Sequence, residues 1–367
     1  MLTMKAALTL ALLLATAAVA AAQKRLVLID QDGSGPGGSD QMAMLALLQA
    51  PDVQVLGITI VTGDAWRDEE TLHTLRMLEL TGHTDVPVAR GAVFPLVRTQ
   101  QETQIESAID GKVTWLGAWG RGATSLTDTG TGTPPAHLES HGPYEIPPMP
   151  EGMPTTRPID EDAAHFLIRQ VRAHPHQVTI YAAGPLTNVA LAVALDPEFA
   201  ALTKGIAVMG ASIRPQTTDP EFATDPRHEF NFWFDPEAAH IVLHADWPRI
   251  DATTVDISVK APFTQAMVDA IAKSQTPAAK YITAWSQQRY YMWDELEACA
   301  WLDPTLITKE QVVYMDVDLS RGPSYGDTLT WPDNLKPATG VRRVHAQLDL
   351  DLPRFQKMFV DLMTRTP

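Results

Sequence analysis

The sequence predicts an α/β protein: a single domain built on an open, mostly parallel, Rossmann-like sheet that is flanked by helices. Strand-like apolar runs alternate with segments of helical periodicity along most of the chain. The first such run, at 26–29, leads directly into Asp30-Gln31-Asp32, a glycine-rich loop at 33–39 and an apolar helix. Because open α/β sheets bind ligands at the carboxyl ends of their strands, we expect a functional site where this first strand ends.

The remaining elements follow the same alternation. Strands are predicted near 25–30, 53–61, 86–89, 177–182, 205–209 and 248–256. Helices are predicted near 40–49, 67–81, 160–173, 187–195, 235–243, 262–273, 277–291 and 294–301. We interpret residues 23–367 as one domain that carries a Pro/Gly/Thr-rich insertion at 93–160. An insertion of this length is typical of a lid or a linker, and two tryptophans within it, Trp115 and Trp119, favour a lid.

The N-terminal segment has the pattern of a secretory signal. Lys5 precedes an apolar stretch at 6–18, and small residues at 19–22 provide cleavage sites. We therefore expect residues 1–22 to be removed and the protein to be periplasmic or secreted, with an N-terminal anchor as the alternative. No later stretch approaches the roughly 18 uninterrupted apolar residues of a membrane span.

Charge and cysteine content restrict the partners. The net charge is −16, and no cluster of Lys and Arg interrupts it, which argues against nucleic acid or an anionic membrane. A neutral small molecule is unaffected by this charge. Cys299 is the only cysteine, so an intramolecular disulfide is excluded, and its apolar surroundings predict a buried, inert thiol. The oligomeric state stays open, with a homodimer or homotetramer as the candidates.

Three carboxylates are close in sequence at the end of the first strand: Asp30, Asp32 and Asp40. Carboxylates gathered in one place repel one another, and a hard cation with oxygen ligands would relieve that repulsion. The alternative is a solvated acidic turn in which Asp40 caps the following helix.

The same loop permits a different interpretation, because Gly33, Gly35 and Gly38 spell the dinucleotide fingerprint G-x-G-x-x-G. Such a loop places pyrophosphate at a helix N-terminus, where the neighbouring aspartates would repel it. A dinucleotide-binding oxidoreductase is therefore a minor alternative.

Several segments, in order along the chain, resemble the inosine–uridine-preferring nucleoside hydrolases. The matching segments are Asp30-x-Asp32-Gly33 with Asp40, then 53–59, 86–92, Gly184-Pro185-Leu186-Thr187-Asn188-Val189-Ala190, Val208-Met209-Gly210, and Glu229-Phe230-Asn231 with 235–239. The segments at 93–160 and after about 310 have no clear counterpart.

The resemblance implies a metal site and a sugar site. Calcium would be held by Asp32, Asp40, Asp294 and the backbone carbonyl of Ala183, with Asp30 as a supporting carboxylate. Ca²⁺ commonly accepts backbone oxygens beside carboxylates, so an alanine at position 183 is compatible with this role.

The sugar hydroxyls would be bound by Glu229 and Asn231, with Asp64 at a further sugar-side position. We expect Glu229 and Asn231 to alternate on an extended segment and to point to one side.

Trp293-Asp294 resembles the purine-preferring members of the family, whereas many other members have His-Asp there. The resemblance implies that the base is gripped between Trp293 and a second indole, either Trp115 or Trp119. Stacking on an aromatic side chain contributes about 1–3 kcal/mol per base.

The chain departs from the family pattern at the general base. The family has two adjacent aspartates, and alignment of Asp40 with the second leaves Ser39 in place of the first. A serine hydroxyl is no base near neutral pH, so Asp30, Asp64 or Asp40 would have to serve. The expected catalytic residues are Asp40, Asp30 and Trp293.

The sequence thus favours calcium-dependent hydrolysis of ribonucleosides, with purine nucleosides as the expected substrates. A nucleoside- or sugar-binding relative that has lost its base is the main alternative.

Overall fold

The computed structural model describes residues 24–111, 113, 115–120, 140–286 and 291–366, which form one α/β unit. Its strands are β1 (Arg25–Gln31), β2 (Val53–Ile60), β3 (Val88–Arg90), β4 (Val178–Ala182), β5 (Gly205–Met209), β6 (Ile250–Thr253), β7 (Ile307–Val317), β8 (Thr328–Trp331) and β9 (Arg342–Leu350). They form a nine-stranded sheet in the order β3-β2-β1-β4-β5-β6-β9-β7-β8. The pairs from β3 to β9 are parallel, and β7 is antiparallel to both β9 and β8. The predicted open, mostly parallel sheet is confirmed.

Helices cover both faces of this sheet. They are α1 (Ser39–Gln49), α2 (Arg67–Thr81), α3 (Gln100–Ile109), α4 (Ala163–Ala173), α5 (Thr187–Leu195), α6 (Pro220–Thr224), α7 (Phe230–Phe234), α8 (Pro236–His244), α9 (Val255–Ser258), α10 (Gln265–Ile271), α11 (Pro277–Trp285), α12 (Trp293–Leu302) and α13 (Leu352–Thr364). The helix predicted at 277–291 ends at Trp285, and residues 287–290 lie outside the described part of the chain.

Alternating side chains of β1 supply the two hydrophobic cores. Val27 and Ile29 join the core beneath α1, while Leu28 joins the core on the opposite face, as the period of a strand requires. Helix α1 is buried over most of its length because α12 and α13 pack outside it. Cys299 is buried within the first core, as predicted, and burial raises the pKa of its thiol.

Two regions for which the sequence predicts no helix or strand contain regular structure. The insertion at 93–160 contains α3 and a 3₁₀ turn, Gly117–Trp119, in its described part. The region after 310, for which no elements were predicted, contains most of β7, all of β8 and β9, and α13. Exposed Ile105 and Ile109 weaken the amphipathic pattern of α3, and residues 308–312 of β7 are exposed, so neither segment shows a buried apolar face.

The sheet positions the site through its strand order. β1 lies between β2 and β4, so the chain proceeds in opposite directions across the sheet from this point. Asp30 stands opposite Thr59 of β2 and Ala182 of β4. The crevice beyond the carboxyl ends of β1 and β4 is therefore the topological switch point, where open α/β sheets bind ligands.

None of the described helices has the length and apolar character required to span a membrane. The predicted signal segment, residues 1–22, lies outside the described residues.

Candidate active site

Four aspartates converge at the switch point, and all are at most 5% exposed. Asp30 lies near the end of β1 and Asp32 directly follows it, while Asp40 lies in the first turn of α1 and Asp294 in the first turn of α12. Burial raises the pKa of Asp40, the charges of Asp32 and Asp294 raise it further, and the Gln31 amide donates to Asp294 Oδ2 at 3.0 Å. Segments that are 263 residues apart are thereby connected.

The electrostatics of this group are those of an oxygen-rich cation site. Burial raises the pKa of Asp32 and of Asp40 well above the ordinary value, and the neighbouring carboxylates raise both further. Burial also raises the pKa of Asp294 to about 7. A divalent cation among these oxygens would supply the missing opposite charge, so the residues present fit a hard ion such as calcium.

The backbone of two glycines packs closely against the Asp32 side chain. A Cβ at Gly63 would lie 2.1 Å from Asp32 Oδ2, and one at Gly184 would lie 2.8 Å from Asp32 Oδ1. Only glycine permits this approach at the two positions. The Asp64 amide donates to Asp32 Oδ2 at 3.0 Å, which places the 62–64 turn against the metal-binding candidates.

Asp30 is held behind this group. Its Oδ1 accepts hydrogen bonds from the Thr59 hydroxyl at 2.5 Å and from the Asn188 amide at 2.8 Å. Its backbone carbonyl accepts from the amide of Ala183 at 3.0 Å, so Ala183 lies beside the end of β1. Among the described residues, Asp30 Oδ2 has no hydrogen-bond partner.

Ser39, which occupies the position of the family's base, is engaged by the start of α12. Its hydroxyl donates to Glu295 Oε2 at 2.6 Å and accepts from the Asp294 amide at 3.2 Å. Glu295 is fully buried, burial raises its pKa well above the usual range, and its Oε1 has no partner within the described chain. At the position of the family's first aspartate, this chain thus has a serine that is hydrogen-bonded to a buried glutamate.

The expected extended segment at 229–231 was wrong. Glu229 caps helix α7, with Oε1 accepting from the Asn231 amide at 2.8 Å and Oε2 from the Phe232 amide at 3.0 Å. The aromatic run 230–234 winds into a short helix because Trp233 and Phe234 pack with Trp119 in one cluster. Burial raises the pKa of Glu229 to about 7, and the charge of Asp294 raises it further.

The tryptophans occupy three different environments. Trp115 is half-buried, and its indole N–H donates to Asp64 Oδ1 at 2.6 Å. Trp119 is buried and stacks on Phe234 with ring centroids 4.4 Å apart, an arrangement that favours a packing role over contact with a base. Trp293 is half-buried at the start of α12, edge-on to Phe222 and Tyr291.

Sequence reasoning did not single out several residues that hold this site together. They are Gln31, Thr59, Asn188 and Glu295. Gln31, Thr59 and Asn188 lie inside the segments that carry the resemblance, so a signal was present for these three. Glu295 shows no signal, since its partner Ser39 is 256 residues away in sequence.

Comparisons with known proteins agree with this architecture. The family model for inosine-uridine preferring nucleoside hydrolase matches residues 27–357. An inosine-uridine preferring nucleoside hydrolase of Leishmania major is 26% identical over 353 residues, which cover 93% of this chain and 98% of the relative. A probable uridine nucleosidase 2 of Arabidopsis thaliana is 28% identical over 302 residues, which cover 79% of this chain and 81% of the relative.

A solved structure of an inosine-guanosine nucleoside hydrolase shares the fold, with a TM-score of 0.70 at 22% identity, covering 94% of this chain and 100% of the other. These matches leave the dinucleotide-binding alternative without support. Family match, strand order and the carboxylate group at the switch point agree, and the chain belongs to the inosine-uridine preferring nucleoside hydrolase family.

Proposed function

We propose that this protein hydrolyses the N-glycosidic bond of ribonucleosides and releases the free base and ribose. The observation that carries the proposal is the buried group formed by Asp32, Asp40 and Asp294 at the switch point, beside Glu229. In a member of this family, such a group suits a reaction in which positive charge develops on a sugar ring.

We propose calcium as the resident cation. Asp32, Asp40, Asp294 and the Ala183 carbonyl would hold it, and all of these donors are oxygens, as Ca²⁺ requires. When bound, the ion supplies positive charge that orients the sugar hydroxyls and acidifies water.

The chain's own residues then act on the sugar and on the attacking water. Glu229 already has both oxygens fixed by backbone amides, so its remaining lone pairs can accept sugar hydroxyls without reorganisation. Asp30 is held through one oxygen by Thr59 and Asn188, and its other oxygen is unpartnered among the described residues. We propose Asp30 as the proton acceptor for water, with Glu295 as the rival, because its Oε1 is also unpartnered there.

We propose a preference for purine nucleosides. The support is Trp293-Asp294 at the start of α12, with the Trp293 indole half-buried. Trp115 is the better second indole, because Trp119 is stacked on Phe234. The hydrogen bond from Trp115 to Asp64 would hold that indole at the sugar side of the site.

The test is incubation of the mature, calcium-loaded protein with inosine, guanosine, uridine and cytidine, followed by chromatography of the products. We expect free base and ribose, with inosine preferred over uridine by at least roughly tenfold in kcat/KM, a difference of about 1.4 kcal/mol. Asp294→Asn is the matched control and should abolish release. Saturable nucleoside binding without any product would instead establish the binding-protein alternative, and equal rates on uridine and inosine would remove the purine preference.

A further inference from the structure

Two histidines and an aspartate meet away from the candidate active site. His240 and His244 lie one turn apart on α8, so their side chains share one face of the helix. Both face Asp316 of β7: His240 Nδ1 is 2.8 Å from Asp316 Oδ1, and His244 Nε2 is 2.9 Å from Asp316 Oδ2. The two imidazole rings are 4.0 Å apart between centroids.

The Asp316 carboxylate therefore contacts both imidazoles. One potential metal-ligand atom from each of the three residues lies within 4.8 Å of the other two. All three side chains are partly exposed, at 35%, 26% and 15%, so ions can reach them from solvent. Gly340 packs directly against the His244 ring, because a Cβ at position 340 would lie 2.7 Å from His244 Cε1. This contact limits the orientations of the ring.

We propose that His240, His244 and Asp316 form a second metal site, selective for a borderline divalent ion such as Zn²⁺, Ni²⁺ or Cu²⁺. Imidazole nitrogens are preferred by these ions, whereas the oxygen-only group at the switch point suits a hard cation. Two histidines and one carboxylate leave a fourth tetrahedral position for water.

The spacing requires only a small opening. With bonds of about 2.0–2.1 Å, a tetrahedral ion holds its ligand atoms roughly 3.3 Å apart. The nitrogen–oxygen distances of 2.8 and 2.9 Å end on different oxygens of Asp316, so each must lengthen by about half an ångström while one carboxylate oxygen turns toward the ion. Asp316 Oδ1 also accepts the Val317 amide at 2.9 Å, a contact that steadies the carboxylate while the histidines move.

A second cluster in the same part of the sheet provides the contrast. Asp251, Glu310 and His345 also bring three ligand atoms together. There, however, the Arg249 guanidinium donates to Asp251 at 2.6 Å and to Glu310 at 3.3 Å, and so occupies the space with its own charge. No guanidinium or ammonium is hydrogen-bonded to Asp316 among the described residues.

Occupation of the site would join α8 to β7. Because a metal that binds only the folded chain stabilises it by mass action, zinc should raise the melting temperature. The site shares no residue with the candidate active site, so nucleoside hydrolysis should be indifferent to its loss.

The test uses the full mature chain, produced without a histidine tag and saturated with calcium so that the oxygen site is filled. Co²⁺ is titrated while its visible ligand-field absorption is recorded, and Zn²⁺ is then added as competitor. We expect one equivalent of Co²⁺ with nitrogen ligation, displaced by Zn²⁺, and a higher melting temperature in zinc. His240→Ala and His244→Asn should each weaken binding by at least roughly tenfold and remove the thermal gain.

His165→Ala and His345→Ala are the matched controls. His165 pairs with Asp162 without a second histidine, and His345 belongs to the cluster that Arg249 occupies, so neither change should alter the titration. Absence of stoichiometric Co²⁺ binding would overturn the proposal, as would binding that survives both His240→Ala and His244→Asn. If His240→Ala fails to fold, the exchange at the partly exposed His244 decides the question.

Discussion

Replacement of Ser39 by aspartate restores the residue type of the family pattern but places it in an environment that the sequence did not reveal. Ser39 donates to Glu295 Oε2 at 2.6 Å, and Glu295 is fully buried. Ser39→Asp therefore removes a hydroxyl donor and brings a second carboxyl against a buried one. We expect this variant to be destabilised and to gain no activity.

The loss of unfolding free energy in this variant has two contributions. A hydrogen bond to a charged group contributes about 1.5–3 kcal/mol, and it is lost. Two carboxylates about 4 Å apart repel by roughly 4 kcal/mol at an effective dielectric constant near 20, so the pair will share a proton instead. Proton sharing limits the total loss to about 2–4 kcal/mol of unfolding free energy at pH 8.

The proton shared by the two carboxyl groups determines whether the stability of Ser39→Asp rises or falls with pH. The folded pair binds a proton more tightly than the unfolded chain does, so its pKa is raised on folding. Stability is then present at low pH and is lost as the pH rises through the folded pKa. The penalty of Ser39→Asp should therefore be smallest near pH 5 and largest near pH 8.

The assay is urea denaturation in chelator between pH 5 and pH 8, for the wild type, Ser39→Asp, and Ser39→Asp combined with Glu295→Gln. The double variant should recover at least half of the lost stability and show the highest kcat in calcium, because its new carboxylate faces a neutral amide. A Ser39→Asp protein as stable as the wild type at pH 8, with no response to Glu295→Gln, would refute the reasoning.

Three further predictions concern the aspartate group, a buried histidine–glutamate pair in α2 and the segment before α4, and the two tryptophans of the insertion. Calcium at a hundredfold excess over its Kd should stabilise the wild type by about 2.7 kcal/mol, and Asp294→Asn should remove this gain in calorimetry. Burial lowers the pKa of His73, but hydrogen bonds to Glu151 and Glu69 outweigh burial and raise it, so the folded chain retains that proton more tightly. Glu151→Gln should cost about 1–3 kcal/mol at pH 6 and less at pH 8 in urea titrations, and an equal loss at both pH values would contradict this ion pair. Trp115→Phe removes the donor to Asp64 and should lower kcat/KM about tenfold with little change in Tm, whereas Trp119→Ala should cost about 3–5 kcal/mol of stability. Similar effects of the two tryptophan exchanges in both assays would show that neither assignment is correct.

The parallel half of the sheet was predictable because its strands are buried on both faces. Strands β4 and β5 are buried at every position, and such strands appear in sequence as continuous apolar runs between helices. The antiparallel strands β7 and β8 do not show such apolar runs and could not be predicted in this way. Residues 308–312 of β7 are exposed and largely polar, so this segment is a strand only because β9 pairs with it.

Some residues of the candidate site could likewise be predicted from the sequence, and others could not. Asp30, Asp32 and Asp40 are visible in sequence because they lie within eleven residues, between the end of one strand and the first turn of one helix. The contact between Ser39 and Glu295 spans 256 residues, and Glu229 is positioned by helix α7, whose aromatic run has no clear period. Local patterns contain no information on such contacts, which arise from the packing of α12 and α7 against the switch point.

The buried carboxylates bear on the choice between an enzyme and a binding relative. None of the causes that shift the pKa of Asp32, Asp40 or Asp294 is a lysine, arginine or histidine of the described residues. Without a cation, these groups must take up protons or repel one another, and either state opposes the ionised form that a water-activating site requires. A cation is therefore needed for both alternatives, and calcium binding alone cannot separate them. An unpartnered carboxylate oxygen at the site would separate them. Five buried carboxylate oxygens have no partner among the described residues, and two of them, Asp30 Oδ2 and Glu295 Oε1, belong to residues beside Asp32 and Asp294. Leaving such an atom buried costs about 1–3 kcal/mol, and a bound water that gives up its proton there would offset that cost. These two oxygens are the proposed means of activating water despite Ser39, and they support the proposal that the protein is an enzyme.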